Sequence, residues 1–417
     1  MNDSTSRSVG LVGATSVVVG SMIGSGILII SSKIAVFGGM GLIAWIVASG
    51  CAISLAYSFS SLSALFKNRA GIPYYVYESF KNCFLSFTVS WAHWLGLCIG
   101  CATVAIAFAD YLWFWLPNSA MFLKTFTSLF VVWGLIFLSG RNKVFSIGMI
   151  TLITLIKVVL LLLIIFFSMP YFSVSRFYVP SREASLFMSV LHSMPLALFA
   201  FLGLESATAS GDSVKDPSKT LPIATLLGTG IAAIMFVSVH MSVMAVLPVQ
   251  EQIYSQAPVA SVAAKAMGSI GSVLVTFVAC FGLLGSINGL LFVCSYILSS
   301  SSLSGWVSGR FSTLSKQSKF PIFAGYTSAV VISAIILTYA LNLVDVNTLV
   351  YSAAFLLVMV YLMGNFAYGV LCKNRFVFTL NLTSCLVLIY GCGLKIALIG
   401  MFLIMSGIFL FKKQKKV

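Results

Sequence analysis

Apolar stretches about 20 residues long recur along nearly the whole chain, at 10–31, 38–65, 84–116, 122–140, 145–169, 186–210, 221–248, 270–303, 321–341, 346–371, 376–393 and 396–411. That length is what an α-helix needs to cross the hydrocarbon core of a bilayer. In hydrocarbon every backbone N–H and C=O must find a partner within the protein, so such segments can only be helices or a closed barrel. Twenty-residue apolar runs lack the alternation of barrel strands and predict helices. The pattern therefore predicts an all-α integral membrane protein with twelve transmembrane helices, formed as one transmembrane domain across residues 1–417.

Composition agrees: 60% of the residues are hydrophobic and 8% are charged, far from the roughly 25% charged of a soluble domain. The net charge of +15 suggests nucleic acid at first sight. The basic residues, however, fall in loops between apolar spans and make no basic face, so no nucleic-acid partner is expected. Of the 24 Lys and Arg residues, seventeen lie in loops on the side of the N-terminus and six on the other, with Lys157 inside a span. The excess marks the cytoplasmic face and places both termini in the cytoplasm. Lys157 itself is a candidate functional residue, as a charge inside a span often is, with snorkelling towards an interface at least as good a reading, and it is left out of the site. No cleavable signal pattern is visible at Met1 to Val9.

Two spans are interrupted. Gly20-Ser21-Met22-Ile23-Gly24-Ser25-Gly26-Ile27 breaks the first, and Phe199-Ala200-Phe201-Leu202-Gly203-Leu204-Glu205-Ser206 the sixth. Paired breaks at corresponding places in two halves point to a mid-membrane binding site of a transporter. Unwinding at Gly20, Gly24 and Gly26 would free amides at the start of a half-helix, where the dipole favours a carboxylate. Carbonyls freed near Phe199 and Leu202 would take an ammonium, so the pair reads as an α-amino-acid clamp. The competing reading of the glycines is close helix packing. Glu205 is the one carboxylate well inside a predicted span, where burial disfavours its charged form; a proton-linked gate is the favoured reading, a structural carboxyl hydrogen-bonded to a neighbouring helix the competing one.

The remaining polar residues offer less. Cys98-Ile99-Gly100-Cys101 has redox spacing but lies in an apolar helix, and all nine cysteines read as buried packing thiols. No nucleophile–base motif is visible, so an enzyme is not expected, and neither a cofactor nor a metal is expected.

These segments resemble a known family, the amino acid–polyamine–organocation (APC) superfamily transporters, and within it the basic amino acid/polyamine antiporters typified by arginine/agmatine exchange. The resemblance rests on the first break, on Phe201 to Ala207 with Val214-Lys215-Asp216-Pro217 and Leu221-Pro222-Ile223-Ala224, and loosely on Tyr74 to Phe80, where the usual Gly-Gly is Gly71-Ile72. It implies a leucine-transporter-like 5+5 inverted repeat, with repeat one at about 10–169, repeat two at about 186–371 and extra helices at 376–411. Discontinuous helices 1 and 6 carry the site. It implies a homodimer in the inner membrane and an exchange, by alternating access, of a basic amino acid such as arginine for its decarboxylation product agmatine. By the same resemblance Met22, Gly24, Ser25 and Gly26 hold the substrate backbone with Phe199 and Leu202. Glu205 takes the proton-sensing position, and His93 and Tyr361 those of gate tyrosines.

The side-chain pocket departs from the family. Leu290 stands where a tryptophan would stack on a guanidinium, Cys101 where an asparagine would contact it, with Gly96 and Leu97 beside it, and Ala354 where a serine would be. Loss of the stacking surface sets arginine against a smaller or more apolar amino acid. A neutral amino-acid permease and a sodium-coupled symporter on the same fold stay open.

Overall fold

The computed structural model describes residues 10–24, 26–66, 71–116, 120–141, 147–177, 185–204, 216–315, 317–318 and 320–411. Among these residues the chain is all-helical, apart from one isolated bridge between Leu314 and Pro321. The helices are α1 (Leu11–Met22), α2 (Gly26–Ile34), α3 (Met40–Leu65), α4 (Ile72–Phe80), α5 (Cys83–Leu112), α6 (Met121–Arg141) and α7 (Ile147–Ser168). They continue with α8 (Leu186–Phe199), α9 (Pro217–Val246), α10 (Val249–Tyr254), α11 (Pro258–Leu303), α12 (Ile322–Ala340), α13 (Val346–Cys372) and α14 (Arg375–Ser406).

Nine of the described helices are long and apolar enough to cross a membrane, or ten if α1 and α2, bent by 41° to each other, form one broken span. The difference from the expected twelve has local causes. Only α8 and the turn after it belong to the described part of the sixth span. The last two predicted spans run on as one helix, α14, yet Gly393 in its middle has φ 78° and ends the first helical stretch there. Gly268, at φ 73°, likewise separates a short leading helix from the membrane part of α11, which the apolar pattern starts at 270. Both angles lie in the left-handed region that glycine adopts without a Cβ penalty. The short helices α4 and α10 lie in segments the hydropathy reading left as loops.

Side-chain caps fix several starts. Asn82 accepts from Leu85 N–H, Asp345 from Thr348 N–H and Asn374 from Val377 N–H, each satisfying an amide the first helical turn leaves open. Burial then ranks the helices. The apolar window of α5 is 89% buried, against 22% for α6, 33% for α12 and 28% for α14. A helix apolar all round and buried all round sits in the core, whereas the others turn apolar faces outward, as membrane helices do. Helix α5 packs on α11 and α13, and α3 packs on α9 and α8, with α1 between α9 and α7.

Candidate functional site

The first break leaves the carbonyls at the end of α1 without partners along the helix, because the next residues do not continue it. Ile23 N–H still reaches Val19 O at 2.7 Å. The carbonyls of Ile23 and Gly20 are taken from across the bundle: Lys157 Nζ of α7 donates to them at 3.0 and 3.4 Å. An ammonium at the C-terminal end of a half-helix is where the dipole favours a cation. The Lys157 side chain is 7% exposed, and its stem fits because residue 282 of α11 is glycine, where a Cβ would stand 2.9 Å from Lys157 Cε. Among the described residues no carboxylate pairs with it.

The glycines of the first break each meet a different neighbour. A Cβ at Gly20 would collide with Thr154 of α7, one at Gly24 with Ser286 of α11, and one at Gly26 with the backbone of Ala200 in the second break. Close packing thus accounts for all three, and Gly26 brings the two breaks into contact. A second tie is polar: Ser21 Oγ donates to Gly203 O at 3.2 Å and to Val18 O at 2.8 Å.

After α8 the chain tightens into successive i→i+3 turns, with Ala200 N–H on Ala197 O, Phe201 on Leu198, Leu202 on Phe199 and Leu204 on Phe201. Gly203 then turns out of the helix at φ 102°. The carbonyl of Phe199 accepts from Leu202 N–H at 3.1 Å. The turn presents two carbonyls to the first break, that of Gly203 to Ser21 and that of Ala200 to Gly26.

Several of the residues expected around the substrate side chain lie on or against α5. Gly100 lies where a Cβ would be 3.0 Å from Leu202 Cδ1 and 3.9 Å from Phe199 Cε2. Gly96 faces Leu356, Leu357 and the carbonyl of Ala353 on α13. The thiol of Cys101 donates weakly to Ile287 O on α11 at 3.9 Å, one turn before Leu290. Met22, Leu97, Cys101, Phe199, Leu202 and Ala354 are all buried, and Leu290 is 9% exposed. His93 and Tyr361 are buried too, but each lies about 10 Å further along its helix, at 1.5 Å per residue, from Gly100 and Ala354. Tyr361 packs its ring 5.4 Å from that of Phe59 on α3. Ser25 and Glu205 lie outside the described residues. A small open pocket borders the first break, lined by Ile23, Gly24, Ile27, Lys157, Val275 and Gly282.

Compared with known families, residues 9–415 match the one described as Amino acid permease. The chain belongs to that family. Its curated relatives include the cadaverine/lysine antiporter of Escherichia coli (strain K12), 28% identical over 299 residues, which cover 68% of this chain and 64% of the relative. The putrescine transporter PotE of the same strain is 29% identical over 331 residues, 76% of this chain and 72% of the relative. The Haemophilus influenzae PotE is 27% identical over 325 residues, 75% and 72% of the two chains. The match thus spans just under two thirds of the first antiporter's length. These relatives and the apolar helices make this permease a multi-pass integral membrane protein.

The residue that sequence reasoning left out of this permease's site is Lys157. Rather than snorkelling, it points inward, because its stem lies in the groove at Gly282 and two carbonyls of the break offer closer partners than an interface. The signal was available: a single cation inside a predicted span is by default a site residue, and Thr154, one turn earlier on the same face, also reaches α1, at Ser16 O. Near the opposite helix ends, Asp110 of α5 accepts from Lys124 of α6 at 2.8 Å, and Lys124 also donates to Gln256 at 2.6 Å. All nine cysteines are free thiols. Cys98 approaches Cys294 of α11, not its motif partner Cys101.

Proposed function

We propose that this permease exchanges an amino acid with a linear aliphatic cationic side chain for its diamine, lysine for cadaverine or a close homologue such as putrescine, by alternating access in the inner membrane. The observation that carries the reading is the meeting of the two breaks, Gly26 against Ala200 and Ser21 on Gly203 O, beside the α5 face that bears Gly96, Leu97 and Cys101. The relatives whose names mention cadaverine, lysine and putrescine support the substrate class. So does the pocket chemistry, since Leu97, Leu202 and Leu290 offer apolar walls to a methylene chain and leave Phe199 as the one stacking surface for a guanidinium. The expectation of arginine for agmatine gives way to this reading for that reason.

The proposal includes twelve spans in two inverted five-helix repeats, with both termini cytoplasmic and two copies per assembly. Helix contacts support the repeats. The first span touches the sixth, α3 packs on α9, α5 on α11 and α6 on α12, which pairs each of the first four spans with its counterpart five spans later. Lys157 supports exchange over sodium symport: its ammonium already holds the carbonyls of the first break that a bare cation would need. Transport is proposed in place of catalysis.

A second reading is a permease for neutral aliphatic amino acids, favoured by Cys101, Leu290 and Ala354, none of which can hold an ω-ammonium. Counterflow into proteoliposomes separates the two. Labelled lysine should enter vesicles loaded with lysine, cadaverine or putrescine, and leucine should not. Entry of leucine alone would establish the second reading, and movement of no amino acid or polyamine by folded protein would overturn both.

A further inference from the structure

Helices α5 and α11 bring two thiols together in the protein interior. Cys98 Sγ lies 3.9 Å from Cys294 Sγ, and neither residue is exposed. Cys101 is one turn along α5 from Cys98, and Leu290 one turn back along α11 from Cys294. The thiol pair therefore sits in the wall behind the residues assigned to the substrate side chain.

The separation decides which chemistry the pair can do. A disulfide needs the sulfurs at about 2.05 Å, a closure of nearly 2 Å between two long packed helices. Two bonds from sulfur to one centre, each about 2.3 Å, span at most about 4.6 Å when linear and less when bent, so a pair at 3.9 Å can be bridged with a shift of under about 1 Å either way. Two donors are too few for zinc, which takes four, and among the described residues no group of three His, Cys, Asp or Glu could hold a metal ion. Charge narrows the choice further. A monovalent soft ion bound by two thiolates leaves a net negative charge in an apolar core, which is costly. A centre that accepts two thiolates and ends neutral avoids that cost.

We propose that Cys98 and Cys294 form a dithiol site for a thiophilic centre of this kind, mercury(II) or an aryl-arsenic(III), and that its occupation stops transport by tying α5 to α11 beside the pocket. With an arylarsine oxide the step is balanced without an oxidant. Two S–H bonds and the arsenic–oxygen bonds break, two arsenic–sulfur bonds form, and the oxygen leaves with both protons as water. With mercury(II) the two protons are released to solvent. An uncharged aryl arsenical partitions into the bilayer and can reach a pair buried among membrane helices.

The test uses the full-length protein, reduced with a phosphine, treated with one equivalent of phenylarsine oxide and read by intact mass. The wild type should gain one phenylarsenic group that survives excess glutathione and is removed by 2,3-dimercaptopropanol. Cys98→Ser and Cys294→Ser should each lose the glutathione-resistant adduct. Cys101→Ser, Cys51→Ser and Cys385→Ser should each keep it; Cys101 lies within electrostatic reach of Cys294, Cys51 and Cys385 of each other across α3 and α14, and these are the competing pairs. Absence of a resistant adduct on the wild type, its persistence in Cys98→Ser, or its loss in Cys101→Ser or Cys385→Ser would each overturn the assignment. The inhibition rests on the proposed transport. Counterflow should be abolished by loading the wild type, restored by the dithiol, and unaffected in either serine variant. An adduct that leaves counterflow intact overturns the claimed inhibition, whereas a protein that moves no substrate refutes the transport reading and leaves the mass result to stand.

Discussion

Replacing Lys157 with methionine separates what that residue does for stability from what it does for conformation. Methionine keeps a long apolar stem to fill the groove at Gly282 and removes the ammonium. Two opposing effects follow. The charge-assisted bond to Ile23 O at 3.0 Å stabilises by about 2 kcal/mol, and the longer one to Gly20 O at 3.4 Å adds less. Against this, burying an ammonium that is only 7% exposed costs several kcal/mol, which methionine does not incur. The variant should therefore fold and melt close to the wild type. The tie itself exists only while the end of α1 rests on α7. Removing about 2 kcal/mol from that arrangement alone shifts its population by about 30-fold relative to one in which α1 has moved away. Counterflow in proteoliposomes should then fall at least tenfold. Spin labels at Val12 on α1 and Leu162 on α7, both exposed, should report a broader distance distribution by pulsed EPR. Wild-type counterflow together with an unchanged distribution would refute the assignment of Lys157 as the cap of the first break.

Three further outcomes follow from the breaks and the pocket. Gly203→Ala places a Cβ at φ 102° and 3.0 Å from Ser21 Oγ, at a cost of about 1–2 kcal/mol from the backbone alone; its melting midpoint and its exchange rate should both drop, and a wild-type midpoint would mean that the turn relaxes. Leu290→Trp restores a stacking surface worth about 0.5–2 kcal/mol to a guanidinium, so arginine should gain about 2- to 30-fold over lysine in competition counterflow, and unchanged selectivity would remove Leu290 from the pocket. Glu205→Gln should leave substrate binding largely intact and flatten the pH dependence of exchange; an unaltered pH profile would count against a proton-linked gate at that position.

The helical spans and the two breaks were legible in the residue order, with boundaries within a few residues for most spans. The reason is that hydrocarbon removes water as a partner, so each membrane segment must satisfy its own backbone and announces itself by length and apolarity. Departures from that rule, at Gly20 to Gly26 and at Leu202 to Gly203, stand out for the same reason. The same rule located the separations inside α11 and α14: the apolar spans begin at 270 and stop at 393, where Gly268 and Gly393 interrupt the two helices with a positive φ.

What the order could not specify was the partner of each break. Lys157 and Ile23 are 134 residues apart, Ser21 and Gly203 are 182, and Cys98 and Cys294 are 196. A sequence shows that a glycine or a lysine lies inside a span, but which face meets which helix depends on crossing and rotation set by packing among all of them. Thus the residues alone determined a helical membrane protein with two interrupted spans. Only the tertiary structure decided that the first break is capped by a lysine ammonium, that its three glycines face three different neighbours, and that the two breaks touch.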